Sequence, residues 1–159
     1  MPRLKAAGFA AGALAIAAVA LAAAWATGGA EADIRLRPDD APLVALGRTV
    51  YADSCASCHG AALEGKADWR VPGPDGRLPA PPHDETGHTW HHDDATLFAL
   101  TKHGVAAMLG PDSTYESNMP TYDGVLTDGE ILAVLSYIKS TWPADVRERH
   151  DGINQRATN

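Results

Sequence analysis

Cysteine is scarce, with two residues in 159. That excludes a disulfide-dense scaffold and a zinc site built from two cysteine pairs. Aromatic residues make up only 6%. No run of five or more like charges is present, so nothing reads as a charged disordered tail. There is no internal repeat, and no strand-like alternation longer than three or four residues. Positive charge is in the minority, with thirteen Lys and Arg against twenty Asp and Glu, a formal net charge of −7. Two of the basic residues, Arg3 and Lys5, precede residue 31, whereas every acid follows residue 30. The remainder therefore sets eleven basic against twenty acidic groups, a net −9. A body that acidic repels nucleic acid and anionic lipid surfaces. Hydrophobic residues are 45% of the chain, enough for one globular domain and too little length for two full-sized ones. Fifteen Gly and eleven Pro predict much loop.

Residues 1–30 differ in composition from the rest. Arg3 and Lys5 form a short positive start, and Ala6 to Ala26 is an uninterrupted apolar run. This pattern is an export signal. Ala24-Trp25-Ala26 and Ala30-Glu31-Ala32 are both small-x-small cleavage sites, whereas the 21-residue run approaches the ~20 residues that cross a bilayer. Cleaved signal and retained membrane anchor both remain open. Either way the body is expected outside the cytoplasm, in the periplasm, with the N-terminus kept inside. Residues 31–39 read as a polar linker, 40–142 as the domain proper, and 143–159 as a polar C-terminal extension.

Within the body, Asp40 is a candidate N-cap for a helix running to Ser54, with Pro42 tolerated in its first turn and Leu43, Leu46 and Val50 at helical spacing. Gly47 sits in the middle of that helix, where glycine costs ~1 kcal/mol against alanine, and so marks a close approach by another element. Residues 60–92 show no periodicity and hold five prolines, which predicts a long functional loop. A second helix starts at Asp93 and stops at Gly104. Residues 110–126 are turn-rich. The strongest helix signal follows: Thr127 and Glu130 make a capping box, Ile131, Leu132, Val134, Leu135 and Ile138 form an apolar stripe, and Pro143 ends it. A short polar helix is expected over 145–154.

The chemistry lies at Cys55-Ala56-Ser57-Cys58-His59. Two cysteines separated by two residues and followed at once by histidine have the haem-attachment spacing. At a helix end, Cys55 and Cys58 project on one side, where each can form a thioether to a vinyl group, and His59 can turn its imidazole under the ring. A thioredoxin-like redox pair lacks its strand-rich context here, and a plain disulfide is the remaining rival. A six-coordinate iron needs a second axial ligand. Met119, in the irregular Asn118-Met119-Pro120, is favoured over Met108, which reads as core, and over a histidine or an open site.

Gly47, Tyr51, Cys55-Ala56-Ser57-Cys58-His59-Gly60, Asn118-Met119-Pro120 and the segment Glu130 to Lys139 together resemble the monohaem class I c-type cytochromes, bacterial and exported. The resemblance covers roughly residues 40–142. It implies an all-α fold wrapped around one covalent haem c, in which Gly47 on the first helix meets Tyr137 on the last. It implies a one-electron carrier rather than an enzyme, with no small-molecule substrate. Cys55 and Cys58 would hold the haem covalently, and His59 and Met119 would be the axial iron ligands. In the family a proline carbonyl accepts a hydrogen bond from the ligand histidine, and Pro79, Pro81 and Pro82 all compete for that role. Arg70, Trp69 and Trp90 are candidates for the haem propionates, since arginine offers a permanent charge with paired donors. The partners would be redox proteins presenting positive charge near Cys55 and Cys58, with the inner membrane added if the N-terminal segment is retained. Three other classes stay in view: a haem sensor with a labile sixth ligand, a peroxidase-like enzyme, and copper handling by His83, His88, His91, His92 and His103.

Overall fold

The structure is a computed structural model and describes residues 34–158, so the expected export segment lies outside the described residues. The described residues contain helices and turns and no strand, which gives the all-α class. Helix α1 is Ala41–Ser54, and a single turn, α2, is Ala56–His59. After a long irregular stretch and a 3₁₀ turn at Thr89–His91 come α3 (Asp94–His103), α4 (Val105–Leu109), α5 (Asp128–Thr141) and α6 (Ala144–Ala157).

Local chemistry explains the boundaries. The Asp40 carboxylate accepts from the Leu43 N–H at 3.2 Å and starts α1. Asp93 does the same for Thr96 at 2.9 Å at the head of α3, and Gly104 ends that helix with φ near +84°. Thr127 and Glu130 form the expected reciprocal cap on α5: the Glu130 N–H donates to Thr127 Oγ1 at 3.3 Å, and the Thr127 N–H donates to Glu130 Oε2 at 2.8 Å.

Helix α5 is the centre of the molecule. Ile131, Ala133, Val134, Leu135, Ser136, Ile138 and Lys139 are all buried, so neighbours cover it well beyond one stripe. Helix α1 packs on it through Gly47, Val50 and Tyr51. A Cβ on Gly47 would stand 2.0 Å from the Ala133 carbonyl oxygen and 2.8 Å from Tyr137 Cβ. The mid-helix glycine is thus the place where two helix backbones meet, as the pairing with Tyr137 implied. The Tyr51 and Tyr137 rings follow at 5.6 Å between centroids.

Both ends of the body are more tightly held than their polarity suggested. Residues 34–39, read as linker, pack down: Leu36 is buried, its N–H donates to Asp94 Oδ2 at 2.9 Å, and the Arg37 N–H donates to Ser136 Oγ at 3.0 Å. The C-terminal extension is a full helix of 14 residues, longer than the expected 145–154. It docks through Val146 and the fully buried His150. The His150 Nε2–H donates to the His92 carbonyl at 2.9 Å, and Asn154 bridges to Asp94 through its amide in both directions, at 2.8 and 3.1 Å. These contacts lie far apart in sequence, which is why the pattern of α6 by itself showed only a polar helix.

Replacing His150 by Ala opens a cavity and strands the His92 carbonyl, at an expected cost of about 2–4 kcal/mol in urea denaturation. The same site predicts a pH dependence. Burial and then the Lys139 charge hold the His150 imidazole below its ordinary value, against Asp94, which raises it. The unfolded chain therefore takes up a proton near pH ~6.5 before the folded one does. Stability should be full above that pH and fall below it, by at most ~1.4 kcal/mol per pH unit for this proton. His150→Gln keeps a donor for His92 and should remove that part of the slope.

Candidate metal centre

Helix α1 ends at the chemistry. The Cys55 N–H donates to the Tyr51 carbonyl at 2.9 Å, closing α1, and the turn Ala56–His59 then carries Ser57, Cys58 and His59. Gly60, with φ near +84°, stops that turn, and the Tyr51 hydroxyl donates to the Gly60 carbonyl at 2.9 Å. The two thiols are not bonded to each other: Cys55 is half-buried and Cys58 exposed. Burial, and then the Cys58 charge, push the Cys55 thiol up to about 11.

His59 is buried, and its Nδ1 lies 2.8 Å from the Pro81 carbonyl oxygen. A carbonyl only accepts, so Nδ1 carries the proton and Nε2 keeps the lone pair. Among the three prolines in competition, the fold selects Pro81. Burial also holds the His59 imidazole below its ordinary value, which keeps it in the neutral, ligating form. Two unlinked sulfurs beside an oriented neutral imidazole are the donor set that covalent haem requires, and the residues present fit that group.

Met119 is partly buried and packs against the main core, with Cys55 and Ala56 on the same cluster. Its N–H donates to Ser117 Oγ at 3.1 Å. Three residues on, the Tyr122 hydroxyl donates to the Ser54 carbonyl at 2.6 Å, which ties this loop to the end of α1. Burial and then the Cys55 and Cys58 charges hold the Tyr122 hydroxyl above its ordinary range. Met108, in contrast, is 45% exposed on α4, not a core side chain as its sequence context implied.

The loop residues separate into different roles. The Arg70 guanidinium lies 3.9 Å over the Trp69 ring, and Trp69 stacks on His88 at 5.1 Å. Trp69 and Arg70 line an open pocket of about 450 Å³ together with Glu64, Lys66 and Pro82. Trp90 is elsewhere: its indole N–H donates to the Glu85 carbonyl at 3.2 Å and its ring stacks on His91 at 3.7 Å. The Trp90 indole N–H is thus engaged within its own loop. Among the described residues no group of three or more His, Cys, Asp or Glu is placed to hold a metal ion.

His83, grouped in sequence with the other loop histidines, lies against His59. It is stacked on His59, with centroids 4.0 Å apart and planes 22° from parallel. Its Nδ1 pairs with Thr89 Oγ1 at 2.8 Å, and its carbonyl accepts from the Trp142 indole at 2.8 Å. Burial, and then the nearby His59 and His88, lower it to about 3, so it stays neutral. Its place beside His59 follows from position, two residues after Pro81. The partners Thr89 and Trp142 carried no sequence signal.

Comparison with known proteins agrees with this geometry. Residues 44–142 match the family described as cytochrome c. A cbb3-type cytochrome c oxidase subunit CcoP from Azospirillum sp. (strain B510) is 32% identical over 99 residues, which are 62% of this chain and 29% of that subunit. The chain thus spans less than a third of the length of that curated relative. No solved structure gives a significant match. The family model spans more than half of the chain, and the chain belongs to the cytochrome c family, electron-transfer proteins that bind haem c covalently, with one Cys-x-x-Cys-His site at residues 55–59.

Proposed function

We propose that the chain is a one-electron carrier of an exported redox chain, with Cys55 and Cys58 as the thioether sulfurs and His59 and Met119 as the axial ligands of one iron. Haem c, when bound, supplies a metal that alternates between Fe(III) and Fe(II). The observation that carries the reading is the His59 contact to the Pro81 carbonyl, because it orients the imidazole and assigns its free lone pair to Nε2. The thioether of Met119 favours the ferrous state and so raises the potential above that of a two-histidine site. Ile131, Val134, Leu135 and Ile138 are all buried in the cluster against which Met119 packs, and they keep water from that side. Arg70, held over Trp69, is the candidate propionate contact.

A positive start followed by the apolar run Ala6 to Ala26 supports a periplasmic location, either as a cleaved signal or as an inner-membrane anchor. Among the described residues no helix is long and apolar enough to cross a membrane. The similarity to an oxidase subunit supports a redox protein or membrane complex as partner, and the acidic body favours one presenting positive charge near Cys58.

The test is spectroscopic. The purified oxidised protein should show the methionine-to-iron charge-transfer band in the far red, and Met119→Leu should abolish it and lower the potential. Rapid carbon monoxide binding by the wild-type ferrous protein would instead favour the sensor, and rapid peroxide turnover the enzyme. A wild-type spectrum without that band overturns the Met119 assignment.

A further inference from the structure

The loop between the haem motif and α3 makes a side excursion whose base is closed by the Lys66 N–H donating to the Ala80 carbonyl at 2.9 Å, one residue before Pro81. Its tip is a tight turn. The Gly73 N–H donates to the Arg77 carbonyl at 2.8 Å, and the Arg77 N–H donates to Asp75 Oδ1 at 3.1 Å. From this turn the Arg77 guanidinium reaches across about forty residues of sequence. Its Nη2 and Nε donate to Glu116 Oε2 at 2.8 and 3.2 Å, and its Nη1 donates to Asn118 Oδ1 at 2.9 Å. Asn118 in turn donates through Nδ2 to Asp75 Oδ2 at 3.1 Å. Arg77, Asn118 and Asp75 thus close a ring through the Arg77 backbone N–H, Glu116 joins it at the Arg77 guanidinium, and both the amide oxygen and the amide nitrogen of Asn118 are engaged.

Asn118 is the residue immediately before Met119. Pro81, whose carbonyl orients His59, lies four positions after Arg77. We infer that Arg77 and Asp75 are positioning residues: they strap the Met119 loop to the segment that holds His59, so that one short stretch, 77–81, braces both axial-ligand segments. The inference rests on the proposed ligand role of Met119 and extends it.

Magnitudes favour a local effect over a global one. Arg77 is partly exposed and Glu116 exposed, and an exposed ion pair adds little to the stability of the whole fold. The Met119 loop, however, lies in irregular sequence: Tyr122 ties its far side to Ser54, but on the near side Glu116, Ser117 and Asn118 are all exposed, and the side-chain ties of that stretch to other segments run to Asp75 and Arg77. Without a regular element to hold that near side, a charged fork with three donors is a large share of what keeps it in place. Losing the strap should let the thioether leave iron more often, without unfolding the protein.

The experiment uses the full-length holoprotein and imidazole as the probe, which competes for the methionine position of ferric iron. Arg77→Gln should bind imidazole about tenfold more tightly than wild type, a factor equivalent to ~1.4 kcal/mol. It should also lose the far-red band at a lower temperature, while the far-UV unfolding midpoint moves little. The swap of Arg77→Glu with Glu116→Arg restores the ion pair and should recover part of the wild-type behaviour. Unchanged imidazole affinity and band stability in Arg77→Gln overturn the strap. A wild-type protein without the band overturns the ligand assignment itself, and the two failures are told apart before any variant is read.

Discussion

A double Cys55→Ser, Cys58→Ser variant should retain no covalently held haem, where the wild type retains one per chain. The serine hydroxyl is nearly isosteric with the thiol but does not make the carbon–sulfur bond to a vinyl group, so the fold has little reason to change while the linkage disappears. Cys58 is exposed and Cys55 only half-buried, so neither substitution opens a cavity in the main core. Each single variant should keep one thioether and shift the pyridine haemochrome band towards the single-linkage position. The measurement is extraction with acidified acetone followed by that spectrum. Pigment that stays with the polypeptide in the double variant would mean that these sulfurs are not the attachment points.

The second large effect is at Gly47. In an exposed helix, glycine to alanine stabilises by up to ~1 kcal/mol. Here the sign should reverse. A methyl group at residue 47 would meet the carbonyl oxygen and carbon of Ala133 at 2.0 and 2.5 Å, and both are backbone atoms of the most buried helix. No side-chain rotation relieves that contact, so α1 and α5 must move apart, and the packing of Val50 and Tyr51 is loosened with them. Overpacking of this kind costs ~1–3 kcal/mol where side chains can adjust, and about 3–5 kcal/mol is expected against rigid backbone. That is a large fraction of the ~5–15 kcal/mol that holds a small domain together. Urea denaturation of the holoprotein would check it, and a Gly47→Ala variant as stable as wild type would show that the helices do not meet here.

The two predictions probe features of different legibility. Helix starts were readable because a cap is a local device: Asp40, Asp93 and Thr127 act within three residues of themselves. The attachment motif was readable for the same reason, since its geometry is contained in one turn. Gly47 was readable by contradiction, a poor helix residue kept where only a close contact explains it. By contrast, Pro81 could not be picked from three prolines, because the choice depends on how a thirty-residue loop folds back under His59. Trp90 and Arg70 looked equivalent in sequence, yet the loop engages the indole of one with Glu85 and leaves the other over Trp69 in an open pocket. His83 looked like one of several loop histidines and is instead packed face to face with His59.

The amino-acid order by itself determined the class of the molecule: helical elements and their caps, one site for covalent haem, and an acidic body. All of these are set by neighbours within a turn or by composition. Tertiary structure alone decided which carbonyl steers His59, that the polar C-terminal segment is a docked helix anchored by a buried His150, and that Arg77 reaches Asn118. Each of these is a contact between segments 22 to 58 residues apart. Such contacts depend on the path of proline- and glycine-rich loops, and those loops carry no periodic pattern from which their path could be read.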